Sequence, residues 1–235
     1  MATLHWVFLG RVPYPLGLSL LQAQASRVRA GADPILFLLE HPKTITLGRS
    51  ADPGHLRLGE QELARRGFGV YRVARGGDVT YHGPGQLVGY PVAALPGGEG
   101  RVPRWVRAHA DALVAFLKEH GIDGTWSDLH PGVWVGREKI GALGFQISRG
   151  VSTHGFALNI CPDLAHFDTI VPCGLSRMGV TSMAALGSRV PTLEEAAERV
   201  AFLVARQLGW TPGEALDSGE VLEEFADDVS LSACL

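Results

Sequence analysis

The clearest periodicity lies near the end of the chain. Val200, Leu203, Val204 and Leu208 recur at helical spacing behind Thr192 and Glu195, whose separation forms a capping box, and Gly209 follows as a stop. This predicts a helix over Thr192 to Leu208. A second helix opens at Pro103 and carries Val106, Ala110, Leu113 and Leu117 on one face, ending at Gly121. Weaker patterns predict helices over Leu16 to Ala30, before Gly31, and over Glu60 to Arg66, before Gly67. Glu220 to Asp228, an acidic segment, reads as a short terminal helix.

Between these lie short apolar runs of strand length. ILFLLE (Ile35 to Glu40) and TITLG (Thr44 to Gly48) are separated by His41-Pro42. GVWVG, KIGALGFQIS and THGFALNI follow one another with turn signals at Arg137-Glu138 and Arg149-Gly150, the pattern of an antiparallel meander. Val70 to Ala74 and Leu87 to Ala94 are two further strands. They flank RGGDVTYHGPGQ, Arg75 to Gln86, which reads as a connection needing positive φ at several points. Helices and strands mix without regular βαβ alternation. The fold class is therefore α+β around a mixed or mainly antiparallel sheet with flanking helices.

Composition narrows the function classes. The 235 residues are 46% hydrophobic and 19% charged, enough for one large domain or two small ones with a sizeable core. A net charge of −3 without a basic block argues against a nucleic-acid partner. No apolar run approaches the ~20 residues of a membrane span, and the N-terminus lacks the pattern of a signal peptide. Three cysteines, Cys161, Cys173 and Cys234, are too few and irregular for a disulfide framework, so a reducing cytoplasm is the expected location. Of the 21 basic residues only Lys43, Lys118 and Lys139 are lysine. Lysine can lose its proton in a protein and arginine cannot, so a lysine in an unusual place is informative.

Candidate chemistry centres on Cys173, in IVPCGLSRM. A following glycine leaves the next backbone N–H open to a developing oxyanion. Its thiol is either a nucleophile or, as for most free cysteines, a small buried hydrophobe. Cys161 reads as a packing residue. Lys139 opens the glycine-rich strand KIGALG. It is either an exposed hairpin residue or a partner that favours a thiolate and returns a proton to a leaving group. His82 and His154 each precede glycine and suit turns or hydrogen bonding. Cys161, His166 and Cys173 lack the paired spacing of a zinc motif, and RGGDVTYHGPG matches neither GxxxxGK[ST] nor GxGxxG. No metal or other cofactor is expected. The glycine-rich stretch offers backbone N–H groups, the cation of Arg75 and the ring of Tyr81 to a carbonyl or an extended chain.

Together, RGGDVTYHGPGQLVGYP, PGVWVGREKIGALGFQISRGVSTHGFALNI and FDTIVPCGLSRMGVTSM closely resemble the lipoyl(octanoyl) transferase family. The likeness runs from His41 to Met183, with YHGPGQ its most specific block. VPCGL separates this family from its relatives. The resemblance implies the fold of lipoate and biotin protein ligases. It also implies one catalytic domain over 1–235, with the role of the tail, 210–235, left open. It makes Cys173 a nucleophile that carries an octanoyl thioester and Lys139 its partner. It lays Arg75, Gly76, Gly77, Asp78, Val79, Thr80, Tyr81 and His82, with Ala142, Leu143, Gly144, Gly155, Phe156 and Ala157, along the acyl group. The implied donor is octanoyl-acyl carrier protein. The implied acceptors are lipoyl domains of 2-oxoacid dehydrogenases and the glycine cleavage H protein. Because carrier proteins are acidic, Arg72, Arg75, Arg149 and Arg177 are expected to rim the site. Three other readings stay open: an ATP-dependent lipoate–protein ligase, a silent scaffold that binds lipoyl domains, and a cysteine hydrolase with His82 or His154 as base.

Overall fold

A computed structural model describes residues 2–171 and 178–226. Thr3–Arg11 (β1) leads into the helix Tyr14–Arg29 (α1) and the strand Ile35–Glu40 (β2), which lies parallel to β1. Every second residue of β2 serves a different core. Leu36 and Leu38 pack on one face, Phe37 and Leu39 on the other. Burial on both faces explains the unbroken apolar run of this strand. Gln86–Ala94 (β6), Val151–Asn159 (β10), Glu138–Ser148 (β9), Val133–Val135 (β8) and Thr125–Trp126 (β7) continue the sheet, each antiparallel to the one before.

One face is covered by α1, whose Leu20, Leu21, Ala25 and Val28 meet Phe37, Val88 and Val92. The other is covered by Val102–Glu119 (α3) and Leu193–Leu208 (α4). The capping box of α4 is present: Thr192 Oγ1 accepts from Glu195 N at 3.1 Å, and Glu195 Oε2 accepts from Thr192 N at 2.8 Å. Gly209 ends this helix at φ 68°. A cap of this kind contributes ~1 kcal/mol.

The tail joins the same body. Thr211–Ala215 (β12) adds to the outer edge of β1 in parallel. Ser218–Glu224 (α5) places Val221 and the following Phe225 in the α1-side core. Neither β1 nor β12 stood out in the sequence pattern.

A small second sheet carries the glycine-rich stretch. Thr44–Leu47 (β3) pairs in parallel with Gly69–Arg72 (β4), which follows the short helix Glu60–Arg65 (α2), and antiparallel with Val79–His82 (β5). The stretch from Arg75 to Gln86 is thus a loop followed by a strand. This corrects its reading as one long connection. The meander turn lies at Gly136-Arg137, one residue earlier than the sequence signal, while the Arg149-Gly150 turn falls where expected.

Candidate active site

Two loops and two strands form a cleft between the small sheet and the large one. The peptide N–H of Arg49 donates to Arg75 O at 3.0 Å, and that of Gly76 donates to Phe145 O of β9 at 2.9 Å. Arg75–Asp78 is therefore stitched to the Gly48–Ser50 loop on one side and to β9 on the other. This demands a bare backbone at Gly48, where a Cβ would stand 2.2 Å from Gly77 O. The large sheet needs the same at Gly155, where a Cβ would stand 2.1 Å from Gly89 O.

Enclosed here is a cavity of about 540 Å³, counting the solvent at its mouth. Arg75, Gly76, Gly77, Asp78, Val79, Thr80 and His82 line it from the small sheet and its loop. Ala142, Leu143, Gly144, Gly155, Phe156 and Ala157 line it from β9 and β10, with Lys139 at one end. Tyr81 alone of the expected lining residues faces away. It alternates inward on β5, packs with Phe68 and Phe167, and shares a 2.9 Å hydrogen bond with His166 Nδ1. Tyr14, Tyr90, Pro131 and His154 also line the cavity, and the first three had no signal in sequence. Tyr14 sits at the start of α1, far along the chain from everything it meets here.

Arg75 is not a surface cation. It is 7% exposed; Nε and Nη2 donate to Thr46 Oγ1, Nη2 also to Thr46 O at 2.7 Å, and Nη1 to Gly76 O. It holds the loop shape from inside. Arg149 is exposed, but its hairpin turn lies ten residues along β9 from Lys139, ~30 Å away at strand spacing. Arg72 is exposed and pairs with Glu60 at 2.8 Å. The expected arginine rim therefore fails at Arg75 and Arg149, and Arg177 lies outside the described residues.

Lys139 is 8% exposed although it stands one residue into its strand. Its Nζ donates to Pro131 O at 3.3 Å and lies 4.9 Å from the ring centre of Trp134. Gly179–Val180 (β11) pairs in parallel with β9, Val180 opposite Lys139. Cys173 lies outside the described residues. Cys161 is exposed, which corrects the expectation that it packs. Partial burial first, then the charge of Glu40, push its thiol pKa up, the direction opposite to an activated thiol.

The histidines here are neutral. Gln86 Nε2 donates to Tyr81 O and to Asn159 Oδ1, and Asn159 Nδ2 donates to Thr181 O. Gln86 Oε1 is thus the acceptor 2.8 Å from His82 Nδ1. His82 carries its proton on Nδ1 and leaves Nε2 as an acceptor. His41 is fixed in the same way. Its Nδ1 donates to Val12 O at 2.7 Å, and Nε2 accepts from the Tyr90 hydroxyl at 2.8 Å. Burial lowers the pKa of His41 to about 4 and, with Arg75 nearby, that of His154 to about 4. His82 falls to about 3, through burial first and then the charge of His41. Among the described residues no group of three or more His, Cys, Asp or Glu is placed to hold a metal ion.

A mixed sheet with helices on both faces is the fold of lipoate and biotin protein ligases. A crystal structure of lipoate-protein ligase A bound with ATP superposes with a TM-score of 0.75 at 17% identity, covering 98% of this chain and 96% of that one. Biotin protein ligase from Aquifex aeolicus gives 0.50 at 10% identity, covering 89% and 70%. The model of the lipoyl protein ligase A/B catalytic domain matches residues 15–203. An octanoyltransferase of Solibacter usitatus is 47% identical over 199 residues, covering 84% of this chain and 90% of that protein. The chain belongs to the lipoyl(octanoyl) transferase family.

Proposed function

We propose that this protein transfers an octanoyl group from octanoyl-acyl carrier protein to a lysine amine of lipoyl domains, those of 2-oxoacid dehydrogenases and of the glycine cleavage H protein. Cys173 is the nucleophile and Lys139 its partner. The Cys173 thiolate attacks the thioester carbonyl. The carbonyl–sulfur bond to the carrier breaks, and Lys139 gives its proton to the departing thiolate. An octanoyl thioester now sits on Cys173. The acceptor lysine, as free amine, attacks that carbonyl. Lys139, now neutral, takes the proton lost by the amine, and the Cys173 thiolate is released. One thioester replaces another in the first half and an amide replaces a thioester in the second, so no nucleotide is required. The cytoplasm is the compartment this chemistry fits, and among the described residues no helix is long and apolar enough to cross a membrane.

The observation that carries the reading is the position of Lys139. It is buried at one end of the cleft and paired through its backbone with Val180, seven residues beyond Cys173. The cleft supports an acyl chain, since Val79, Ala142, Leu143, Phe156 and Ala157 and the bare backbone of Gly76, Gly77, Gly144 and Gly155 make up part of its walls. Each CH₂ buried there contributes ~0.8 kcal/mol. The naming of relatives such as the Solibacter usitatus protein supports the octanoyl group.

Incubation with octanoyl-carrier protein and a lipoyl domain, with no nucleotide present, tests this. The lipoyl domain should gain one octanoyl mass on its lysine. A gain seen only with ATP and free acid would instead indicate the ligase chemistry named for the structure bound with ATP.

A further inference from the structure

Transfer to the acceptor lysine leaves one proton without a destination. A lysine side chain titrates near ~10.4, so it arrives as an ammonium. It must lose two protons to become an amide, and Lys139 takes only one of them. Few groups in the cavity could take the other. Asp78 is the only carboxylate lining it among the described residues. His82 and His154 line it too, but burial pushes them down to about 3 and about 4, so neither accepts a proton near neutrality.

Asp78 is joined to a third histidine. Its Oδ2 lies 2.6 Å from His55 Nδ1, and its Oδ1 accepts from the peptide N–H of Asp52 at 3.2 Å. A carboxylate accepts, so His55 Nδ1 donates and Nε2 keeps its lone pair. No described residue bonds Nε2, and the His55 side chain is 28% exposed.

The fold sets this pair beside the reacting groups. His55 closes the turn Pro53–His55, and its C=O accepts from Val171 N at 2.8 Å, with Leu56 bridged to Ile170 next to it. Val171 is two residues before Cys173 in the sequence. On the other side, Val79 and Tyr81 turn into the core of the small sheet, while Thr80 shares a recess with Lys139. Asp78 precedes Thr80 by two residues, ~7 Å of extended chain. The other charged groups on the segments around the pair are Arg49, Asp52 and Arg57 on the histidine's own loop and Asp168 ahead of Thr169, all exposed, and Arg75, which is turned into Thr46.

We propose that His55, held by Asp78, is the base that takes the first proton from the acceptor lysine. This role rests on the octanoyl-transfer reading. The ammonium enters toward the Asp78 charge and gives one proton to His55 Nε2. The imidazolium that forms is held by the Asp78 carboxylate. The free amine attacks the Cys173 thioester carbonyl, its second proton goes to Lys139, and the carbonyl–sulfur bond breaks to release the Cys173 thiolate. His55 then gives its proton to water. One proton leaves in all, and Lys139 and Cys173 end as they began. Without such a base only the free-amine fraction of the acceptor reacts, about 1 in 2,500 at pH 7.

The test loads the enzyme from octanoyl-carrier protein, removes the donor, adds a lipoyl domain and follows each half by intact mass. His55→Gln should load octanoyl at the wild-type rate and pass it on ~10²–10³-fold more slowly at pH 7. Wild-type transfer should level off between pH 8 and 9. Transfer by His55→Gln should keep rising about tenfold per pH unit, because it waits on free amine, so its deficit shrinks as the pH rises. Asp78→Asn, whose amide oxygen can still accept from Asp52 N, should slow transfer in the same direction and serves where His55→Gln fails to fold. Loading and transfer slowed alike, or parallel pH profiles for wild type and variant, overturns the base while leaving octanoyl transfer standing. Absence of any octanoyl adduct in the wild type overturns the transfer reading and this role with it.

Discussion

Acid should unfold this protein through its histidines. His41, His109 and His154 have pKa values of about 4 and His82 of about 3, each lowered chiefly by burial. Unfolding releases all four rings to bind protons near pH 6.5. Between pH 6.5 and about 4 the unfolded chain therefore holds more protons than the folded one, and stability falls as the pH falls. By pH 8 these groups contribute almost no slope. At pH 5 each ring, 1.5 units below its free value, costs ~2 kcal/mol, and the four together ~8 kcal/mol. That rivals the ~5–15 kcal/mol total stability of an ordinary domain. The charges of His41 and His154 both lower the pKa of His82, so the first proton taken up makes the next less welcome in the folded state. Urea unfolding at pH 8, 7, 6 and 5 measures this. The unfolding free energy should change by only ~0.6 kcal/mol from pH 8 to 7 and then fall with a slope approaching four protons. His109 stands apart from the cleft, among Trp105, Phe145 and Phe156, with its Nε2 unpartnered. His109→Leu should remove about one proton from that slope. A level free energy from pH 8 to pH 5 would refute the assignment of neutral, buried rings.

Other outcomes follow from named contacts. Tyr90→Phe removes the donor to His41 Nε2 and leaves a buried acceptor unpaired, so the unfolding free energy should drop by ~1–3 kcal/mol; an unchanged urea midpoint contradicts the bond. Gly155→Ala sets a methyl against the Gly89 carbonyl and Pro91, forcing β6 and β10 apart, and should cost ~1–3 kcal/mol in the same assay and impair acyl loading. Lys139→Met should fold and lose ~10²–10⁴ of the transfer rate, with a far smaller change in affinity for the donor; wild-type turnover in this variant would exclude a role for Lys139 in proton transfer.

What sequence pattern revealed was the structure that local rules decide. The Thr192–Glu195 box, the stripe behind it and the Arg149-Gly150 turn each involve residues a few positions apart, and each is present. β5 was hidden for a compositional reason. Its Val79-Thr80-Tyr81-His82 alternation is regular, but the glycines around it make the whole stretch read as a turn. β1 and β12 pair across the length of the chain, and β12, as TPGEA, is an edge strand in which only Thr211 is of a type that favours strands. In the cleft, the order of residues along the chain indicated which backbones come together. It did not indicate which way side chains turn. Arg75 points into the Thr46 backbone because the loop is tied to Gly48–Ser50 and β9, two contacts made by distant segments. His154 faces the cavity because Pro91, on another strand, relaxes the ladder opposite it. Cys161 is held at the surface by its peptide N–H bond to Gly85 O.

The central claim is that the octanoyl group passes through Cys173. Incubation with octanoyl-carrier protein in the absence of acceptor, followed by intact mass and peptide mapping, measures it directly. One hydroxylamine-labile octanoyl group should map to Cys173 and be absent from Cys173→Ser. An adduct on Cys161, or transfer to the lipoyl domain undiminished in Cys173→Ser, would contradict it.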